Sequence, residues 1–249
     1  MSSPASSHDH VFPHTRWSLV VIAKGNHSEA RTALDGLCRI YWRPIYAFAR
    51  HKGLSAHDAE DVTQAFFADL LERGYIQNAD QGKGRFRAFL IHDLKFFLSN
   101  EAMKGRALKR GGEVKFVPID TAWAESHQEI ADPAFSDADA YFDRQWALET
   151  VRLARERVGA DYKSQGKEAV FIALQSGLVH PPDAAVYDRW QQQLGMNVGA
   201  LRVALHRLRD RFKAALEEQV LETVSSKEDL EAELRHLRHA LGKARSAQA

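Results

Sequence analysis

The apolar and polar positions of this chain follow a helical period along most of its length. Val62, Phe66 and Leu70, for example, recur every four residues. That spacing places their side chains on one face of a helix and leaves the polar residues between them on the other faces. A short alternation at 114–119 hints at one extended piece, but nothing in the chain demands a sheet. The pattern therefore predicts an all-α protein.

Capping and helix-breaking residues predict where these helices begin and end. Ser55 precedes an apolar helical pattern and has Asp58 three residues later, the spacing of a capping box. Pro44 is expected to kink or interrupt its helix, and Gly53 to end it. The predicted helices cover Thr15 to Lys24, Ser28 to His51, Ser55 to Glu72, Phe86 to Met103, Tyr141 to Leu153, Lys167 to Ser176, Asp183 to Gln193, Val198 to Val220, and Ser226 to Leu241.

Composition divides the chain of 249 residues into five segments. The first residues are small and polar, which is typical of a disordered tail. A later stretch carries two prolines, scattered acids and little periodicity, which is typical of a linker. The predicted organisation is a disordered tail at 1–13, a small helical domain at 14–112, an acidic linker at 113–140, a second small helical domain with a helix-turn-helix at 141–222, and a C-terminal helix at 223–249.

The charges lie in blocks that the formal net charge of +1 hides. Residues 55–72 carry acids and no Lys or Arg, whereas 83–115 are strongly basic and rich in aromatic side chains. A basic and aromatic surface suits nucleic acid, particularly unpaired strands, because phosphates attract cations and bases stack on rings. Neighbouring surfaces of opposite charge therefore indicate two different partners.

Several classes of protein are disfavoured by the composition. The single cysteine, Cys38, allows no disulfide within the chain, and the lack of an apolar run of 18 residues predicts no membrane span. The first residues do not read as a signal peptide, so we expect a cytoplasmic protein with no membrane partner. No nucleophile motif, phosphate loop or zinc pattern is present, so we expect neither an enzyme nor a metal or cofactor.

The segment 186–212 has the layout of a helix-turn-helix. Gly195 would make the turn, and Asn197 would cap the second helix, whose leucines point inward. A second helix of this kind enters the major groove of DNA. An ordinary helical hairpin with a solvated basic face is an equally good reading of this segment alone. The residues left for the outer face are Arg202, His206, Arg207, Arg209 and Arg211.

Two motifs make the chain resemble a bacterial RNA polymerase sigma factor of the extracytoplasmic-function class, in a divergent branch. The first is D-A-E-D-V-T-Q at 58–64, followed by R-F-R-A-F-L at 85–90. The second is L-G-M-N-V-G-A-L-R-V-A-L-H-R-L-R at 194–209. Both occur in the order of the family and are separated by an acidic linker. The resemblance covers most of 15–220.

The resemblance implies that 14–112 is the region-two domain and that 141–222 is the region-four domain. It also implies that the acidic helix docks on the clamp helices of the large catalytic subunit of polymerase. The candidate polymerase-binding residues are Asp58, Glu60, Asp61 and Gln64. A solvated helix face, with acids placed favourably at the helix N-terminus, is the other explanation of these residues.

Promoter DNA is the second partner that the resemblance implies. Region two would hold the melted downstream element, and region four would read the upstream element. The candidates in region two are Arg85, Arg87, Phe89, Lys95, Asn100, Lys104 and Arg106. The candidates in the helix-turn-helix are Asn197, Gly199, Arg202, His206, Arg207 and Arg209. Each cation could instead be a solvent-facing charge, and some of Phe86, Phe89, Phe96 and Phe97 must serve the core.

Three functions stay open on the sequence. The resemblance implies a sigma factor that directs core RNA polymerase to promoters, with an anti-sigma factor as an additional candidate partner. A stand-alone helix-turn-helix transcriptional regulator and a sigma-like helical adaptor are the alternatives. The C-terminal helix would pack on the second domain or on a partner, and a regulatory lid is a further hypothesis for it.

Overall fold

The computed structural model describes residues 27–72, 86–107, 137–221, 223–224 and 226–242. These residues are almost entirely helical and contain no strand, which confirms the all-α prediction for this part of the chain. The predicted tail, the predicted helix from Thr15 to Lys24, the extended piece at 114–119 and most of the predicted linker lie outside the described residues.

Eight α-helices and one 3₁₀ turn make up the described part of the chain. Their boundaries agree closely with the capping signals in the sequence, although the helix predicted from Tyr141 to Leu153 begins earlier and ends later. The helices are α1 His27–His51, α2 Ala56–Glu72, α3 Phe86–Ala107, α4 Ala138–Ser164, α5 Glu168–Leu174, α6 Ala184–Leu194, α7 Val198–Leu221 and α8 Lys227–Gly242, and the 3₁₀ turn is Gln175–Leu178.

Helix α1 runs through Pro44 without a break, so an interruption at this proline does not occur. It ends at His51, and Gly53, the glycine predicted to terminate it, follows in a left-handed backbone conformation with φ of 89°. The amide of Gly53 donates to the carbonyl of Arg50, and the amide of Leu54 donates to that of Ala49. This pair of bonds is the Schellman motif, which satisfies the last carbonyls of the helix.

Helices α1, α2, α3 and the first half of α4 pack around one hydrophobic cluster, which we call cluster 1. Tyr41 and Phe48 of α1, Phe66 of α2, Leu90 of α3 and Trp146 of α4 are all almost completely buried in it. Helix α8 and the end of α7 close the same cluster. The C-terminal helix therefore packs chiefly on α4 and α7, two helices of the segment predicted as the second domain.

The remaining helices surround a second cluster, cluster 2, to which the second half of α4 contributes Val158. Leu174 of α5, Trp190 of α6 and Leu205 of α7 are buried there. Leu216 of α7 packs against both clusters. Helices α4 and α7 thus belong to both cores, and the predicted division into domains at 14–112 and 141–222 stays a prediction.

A buried carboxylate joins α1 to α4. Glu149 accepts a hydrogen bond from Nη1 of Arg43 at 3.1 Å and one from Nη2 of Arg152 at 2.6 Å. Burial lowers the pKa of Arg43, whereas the hydrogen bond to Glu149 raises the pKa of Arg152. Glu149 is buried, and a buried carboxylate is costly unless it is paired, so the two guanidinium groups supply the opposite charge that this position requires.

Among the described helices, none has both the length and the apolar composition that crossing a bilayer requires.

Candidate nucleic-acid interface

The helix-turn-helix is built by two caps and one left-handed glycine. Asp183 caps α6 by accepting a hydrogen bond from the amide of Val186 at 2.9 Å. Gly195 ends α6 with φ of 65°, and Asn197 then caps α7 by accepting from the amide of Ala200 at 2.8 Å. Three residues are enough to connect the two helices because glycine adopts this backbone conformation without strain. The predicted turn and the predicted cap are both confirmed.

Buried side chains fix the orientation of α7 against α6. Leu201, Leu205 and Leu208 are buried, as their spacing predicted, and they pack with Trp190 of α6. Gly177 lies close beneath them: a Cβ atom there would stand 2.9 Å from Leu205 Cδ1 and 3.0 Å from Trp190. The opposite face of α7 is consequently turned away from the core.

One exposed face of α7 carries basic side chains and a single large apolar side chain, and the exposed Asp210 lies at its far end. Positions 199, 203 and 207 are four residues apart, and positions 202 and 206 lie beside them, so all five share one side of the helix. They are all classed as exposed, and Val203 keeps 52% of its surface. The face, which we call the α7 reading face, consists of Gly199, Arg202, Val203, His206 and Arg207.

The basic side chains of the reading face differ in the contacts that hold them. The guanidinium of Arg202 lies 5.8 Å from the centre of the Tyr187 ring, a cation–π contact. His206 Nδ1 lies 2.7 Å from the Asp210 carboxylate. Within the described residues, no ion pair or hydrogen bond engages Arg207. Arg202 is therefore pre-positioned at the surface, and Arg207 keeps all its donors for a partner.

Two other arginines of α7 have structural contacts. Arg209 donates from Nε and Nη2 to the carbonyl of Gly177, at 3.0 and 2.7 Å. The guanidinium of Arg211 lies over the ring of Tyr162 and also donates to Gln165. Arg209 was a candidate for DNA contact, but its forked donors hold the 3₁₀ turn against α7 instead.

The aromatic residues of α3 divide between the core and the surface. Phe86 and Phe97 are buried in cluster 1, and the candidate Phe89 is half-buried against it. Phe96 keeps 55% of its surface. It is the ring on α3 that is open to a base, and it was not among the predicted site residues. Its position off the stripe formed by the buried residues of α3 is the signal that could have identified it.

Of the other DNA-binding candidates in this region, Arg87 aside, Lys95 and Asn100 are the two whose side chains are described. Lys95 is exposed, but its ammonium lies 2.5 Å from the Asp139 carboxylate at the start of α4. Asn100 is half-buried. Lys104 and Arg106 belong to the last turns of α3, where the side chains are not described, and Arg85 lies outside the described residues.

Arg87 is the candidate whose placement differs most from the prediction, because it lies in the interior with 8% of its surface exposed. Its guanidinium is paired with Asp143 of α4 and donates from Nε to Glu233 of α8 at 3.3 Å. The ring of Trp146 lies 5.2 Å beneath it. Two carboxylates in a buried setting explain this position, and a phosphate cannot reach the group while α8 is in place.

His236 extends this buried ionic group, which we call the Arg87 cluster. Its Nε2 lies 2.8 Å from the second oxygen of Asp143, and its ring lies beside Trp146. Nearby, burial and then the Glu233 carboxylate raise the pKa of Tyr41, so that its phenol stays neutral. The C-terminal helix thus supplies Glu233 and His236, two polar residues, to the interface between α3 and α4.

The candidate polymerase-binding residues share the first half of α2. Asp58 accepts from the Ser55 hydroxyl at 2.6 Å while its own amide donates to that hydroxyl, so Ser55 is the helix cap. Asp61 is exposed, and Glu60 lies within reach of the amide nitrogen of Gln64 at 3.5 Å. The arrangement presents carboxylates at the positive end of the helix dipole.

His57 stands among these acids with its Nδ1 3.0 Å from Asp61. A backbone hydrogen bond at residue 57 and the Asp61 carboxylate raise the pKa of His57. Protonation of the imidazole would offset part of the negative charge of this surface. The acidic face of α2 is therefore most negative at a pH above the raised pKa of His57.

Comparisons with protein-family models, with curated proteins and with solved structures gave no match to the chain. Within the described residues, no group of three His, Cys, Asp or Glu side chains is arranged to hold a metal ion. The function is therefore inferred from the chain's own residues and from the two motifs that it carries.

Proposed function

We propose that the chain is a sigma-type subunit that directs core RNA polymerase to promoters. The observation that carries the proposal is the α7 reading face. It presents Arg202, His206 and Arg207 directly after a capped three-residue turn, at the positions that the region-four motif leads us to expect. The acidic face of α2, in the order expected of region two, supports the same function.

Helix α7 would contact the upstream promoter element as duplex DNA. The first turns of a recognition helix lie in the major groove, where arginine pairs with the N7 and O6 atoms of guanine. Arg202 and Arg207 occupy those turns, and their donors point away from cluster 2. Asn197 would act through the helix cap, since its side-chain oxygen is already bonded to Ala200.

The acidic face of α2 would dock on a basic surface of polymerase. Complementary charge of this kind chiefly raises the rate of association and fixes the orientation of the two partners. Asp61 and Asp58 are exposed and lie on one side of the helix. Their hydrogen bonds with His57 and Ser55 hold the carboxylates in place before the partner arrives.

Helix α3 would hold the opened downstream strand with Phe96 and Lys95. Extrusion of a base costs a few kcal/mol, and stacking on an aromatic ring returns about 1–3 kcal/mol per base. One base on Phe96, with phosphate contacts from the basic end of α3, would therefore offset much of the local melting. Arg87 has no part in this step while Glu233 and Asp143 hold it.

A stand-alone helix-turn-helix regulator is the second candidate. It is favoured by the contrast between the two predicted DNA surfaces. The cations of the reading face are exposed, whereas Arg87 is buried and Lys95 is paired with Asp139. Such a regulator would bind duplex DNA through α7 without any contact with polymerase.

The experiment that separates the two is transcription reconstituted from purified core polymerase and the full chain on a genomic fragment library. A sigma subunit co-elutes with core polymerase and programmes specific start sites. Asp61→Lys should weaken the co-elution, and Glu231→Lys, an exposed charge reversal on α8, should leave it unchanged. Duplex binding without co-elution would establish the regulator instead, and the absence of both would reject both candidates.

A further inference from the structure

Val203 is an exposed valine in the middle of a face that is otherwise polar. It keeps 52% of its surface and stands between Arg202 and His206 along the α7 reading face. Single exposed apolar residues are common, so exposure alone assigns nothing. What distinguishes Val203 from the more exposed Val179 is its place, four residues after Gly199 and four before Arg207 on one side of the helix.

We infer that Val203 reads the C5-methyl group of a thymine in the duplex bound by α7. The inference rests on the proposed function and names part of the sequence that the reading face would select. In the major groove a thymine is the base that offers a methyl group, and apolar side chains contact it there. The two arginines beside Val203 then favour a guanine next to that thymine.

The other bases fit Val203 poorly. Cytosine and adenine present amino groups at the same groove edge, and guanine presents acceptors. An isopropyl group that covers one of these atoms excludes water without replacing its hydrogen bond, which is unfavourable. Val203 would therefore contribute to selectivity both by attracting a methyl group and by excluding polar edges.

A short side chain reaches a base only if the helix backbone lies deep in the groove. Gly199, one turn earlier on the same face, has no side chain to hold the helix out. A Cβ atom at that position would meet Asn197 Oδ1 at 3.3 Å, while the outer side is open. Gly199 and Val203 together leave a shallow strip along α7, bordered by His206 on one side and Arg207 on the other, into which the groove edge can fit.

The test begins with duplexes that the full-length protein selects from a randomised library. In the best duplex, each thymine is replaced in turn by deoxyuridine, which lacks only the methyl group. For the wild type we expect one position at which this replacement weakens binding about three- to fivefold, the effect of one buried methyl group. Fluorescence anisotropy titrations at fixed salt measure each affinity.

Three variants assign that methyl effect to a side chain. Val203→Ser removes both methyl groups and should bind the thymine and deoxyuridine duplexes equally at this position. Val203→Thr keeps one methyl group and should keep most of the discrimination. Val179→Ala, a change at an exposed valine outside α7, should keep all of it. Circular dichroism checks that each variant retains the helical content of the wild type.

Each remaining outcome rejects a defined claim. If the wild type selects a duplex but no deoxyuridine replacement weakens binding, the thymine reading is wrong and the proposed function survives. If Val203→Ser still distinguishes the thymine duplex from the deoxyuridine duplex as well as the wild type does, the thymine reading is likewise wrong and the proposed function survives. If no duplex is selected at all, duplex reading by α7 fails, and this inference fails with it.

Discussion

The guanidinium of Arg87 illustrates how a charge behaves when it lies between helices. Asp143 and Glu233 bracket it from α4 and α8, and the Trp146 ring covers one face. A buried ionic group of this kind stabilises the fold little more than an apolar replacement would. Removal of one charged partner, however, strongly destabilises the fold. The contacts therefore specify which face of α8 packs on α3 and α4.

Replacement of Glu233 tests this reading. Glu233→Ala should lower the free energy of unfolding by about 3 kcal/mol, because it leaves a buried cation with one carboxylate where it had two. Glu231→Ala, at an exposed position of the same helix, should change it by less than about 0.5 kcal/mol. Urea titrations followed by circular dichroism measure both. Equal effects of the two variants would show that Arg87 is not held by Glu233.

Alanine variants of Arg207 and Arg209 should have different effects, one on DNA affinity and the other on the stability of the fold. Arg207→Ala should weaken binding to a selected duplex and reduce the salt slope by about one, with no change in the unfolding midpoint. Arg209→Ala should lower stability by about 1–2 kcal/mol, because the carbonyl of buried Gly177 loses both its donors. A loss of DNA affinity in Arg209→Ala at unchanged stability would contradict this assignment.

The hydrogen-bond partners of individual polar side chains followed from the sequence where those partners are local. The caps at Ser55 and Asn197 bond within three residues, and both were predicted. Arg87 was expected at a DNA surface, and this prediction was wrong. Its partners lie 56 and 146 residues away along the chain, so the sequence around Arg87 does not show them. The residues next to an arginine in a basic stretch do not indicate that acids distant in the sequence will pair with it.

At the scale of the elements, helix boundaries were the best-predicted property. Start and stop signals act within one turn, so they are visible in the sequence. The exceptions were the interruption at Pro44 and the end of α4, which was predicted at Leu153 and lies at Ser164. A proline inside a helix costs about 3 kcal/mol, but Ile40, Ile45 and Phe48 are buried on both sides of it. Their packing in cluster 1 is sufficient to hold α1 together across the proline.

The contact between the 3₁₀ turn and α7 depends on the missing side chain of Gly177. Gly177→Ala would place a Cβ atom 2.9 Å from Leu205 and 3.0 Å from Trp190, both buried. We expect it to destabilise the protein by about 1–3 kcal/mol through overpacking. Gly242→Ala, where a Cβ atom meets nothing within 4 Å, is the matched control. Thermal unfolding compares the two variants, and equal midpoints would refute the close packing.

At the scale of the whole molecule, α4 and α7 join the two hydrophobic clusters. The first half of α4 packs in cluster 1 and the second half in cluster 2, and Leu216 of α7 touches both. The sequence indicated two separate groups of helices. It could not reveal this sharing, because one long amphipathic pattern does not say which partner each turn will face.

Shared helices predict that both clusters unfold together. Leu90→Ala in cluster 1 and Leu205→Ala in cluster 2 should each cost about 2–5 kcal/mol, and each should shift one common transition. Urea unfolding followed by tryptophan fluorescence and by circular dichroism would give coincident curves for both variants. A second transition in either variant would show that the clusters are independent.

Helix α7 begins at the reading face and ends in cluster 1, beside α8. Its 24 residues span about 36 Å at the usual rise of an α-helix. A continuous helix of this length sets a fixed distance between a partner bound at its first turn and the helices of cluster 1 that pack at its C-terminal end. If α3 and α7 grip one stretch of DNA together, the number of base pairs separating their two sites is dictated by the length of that helix.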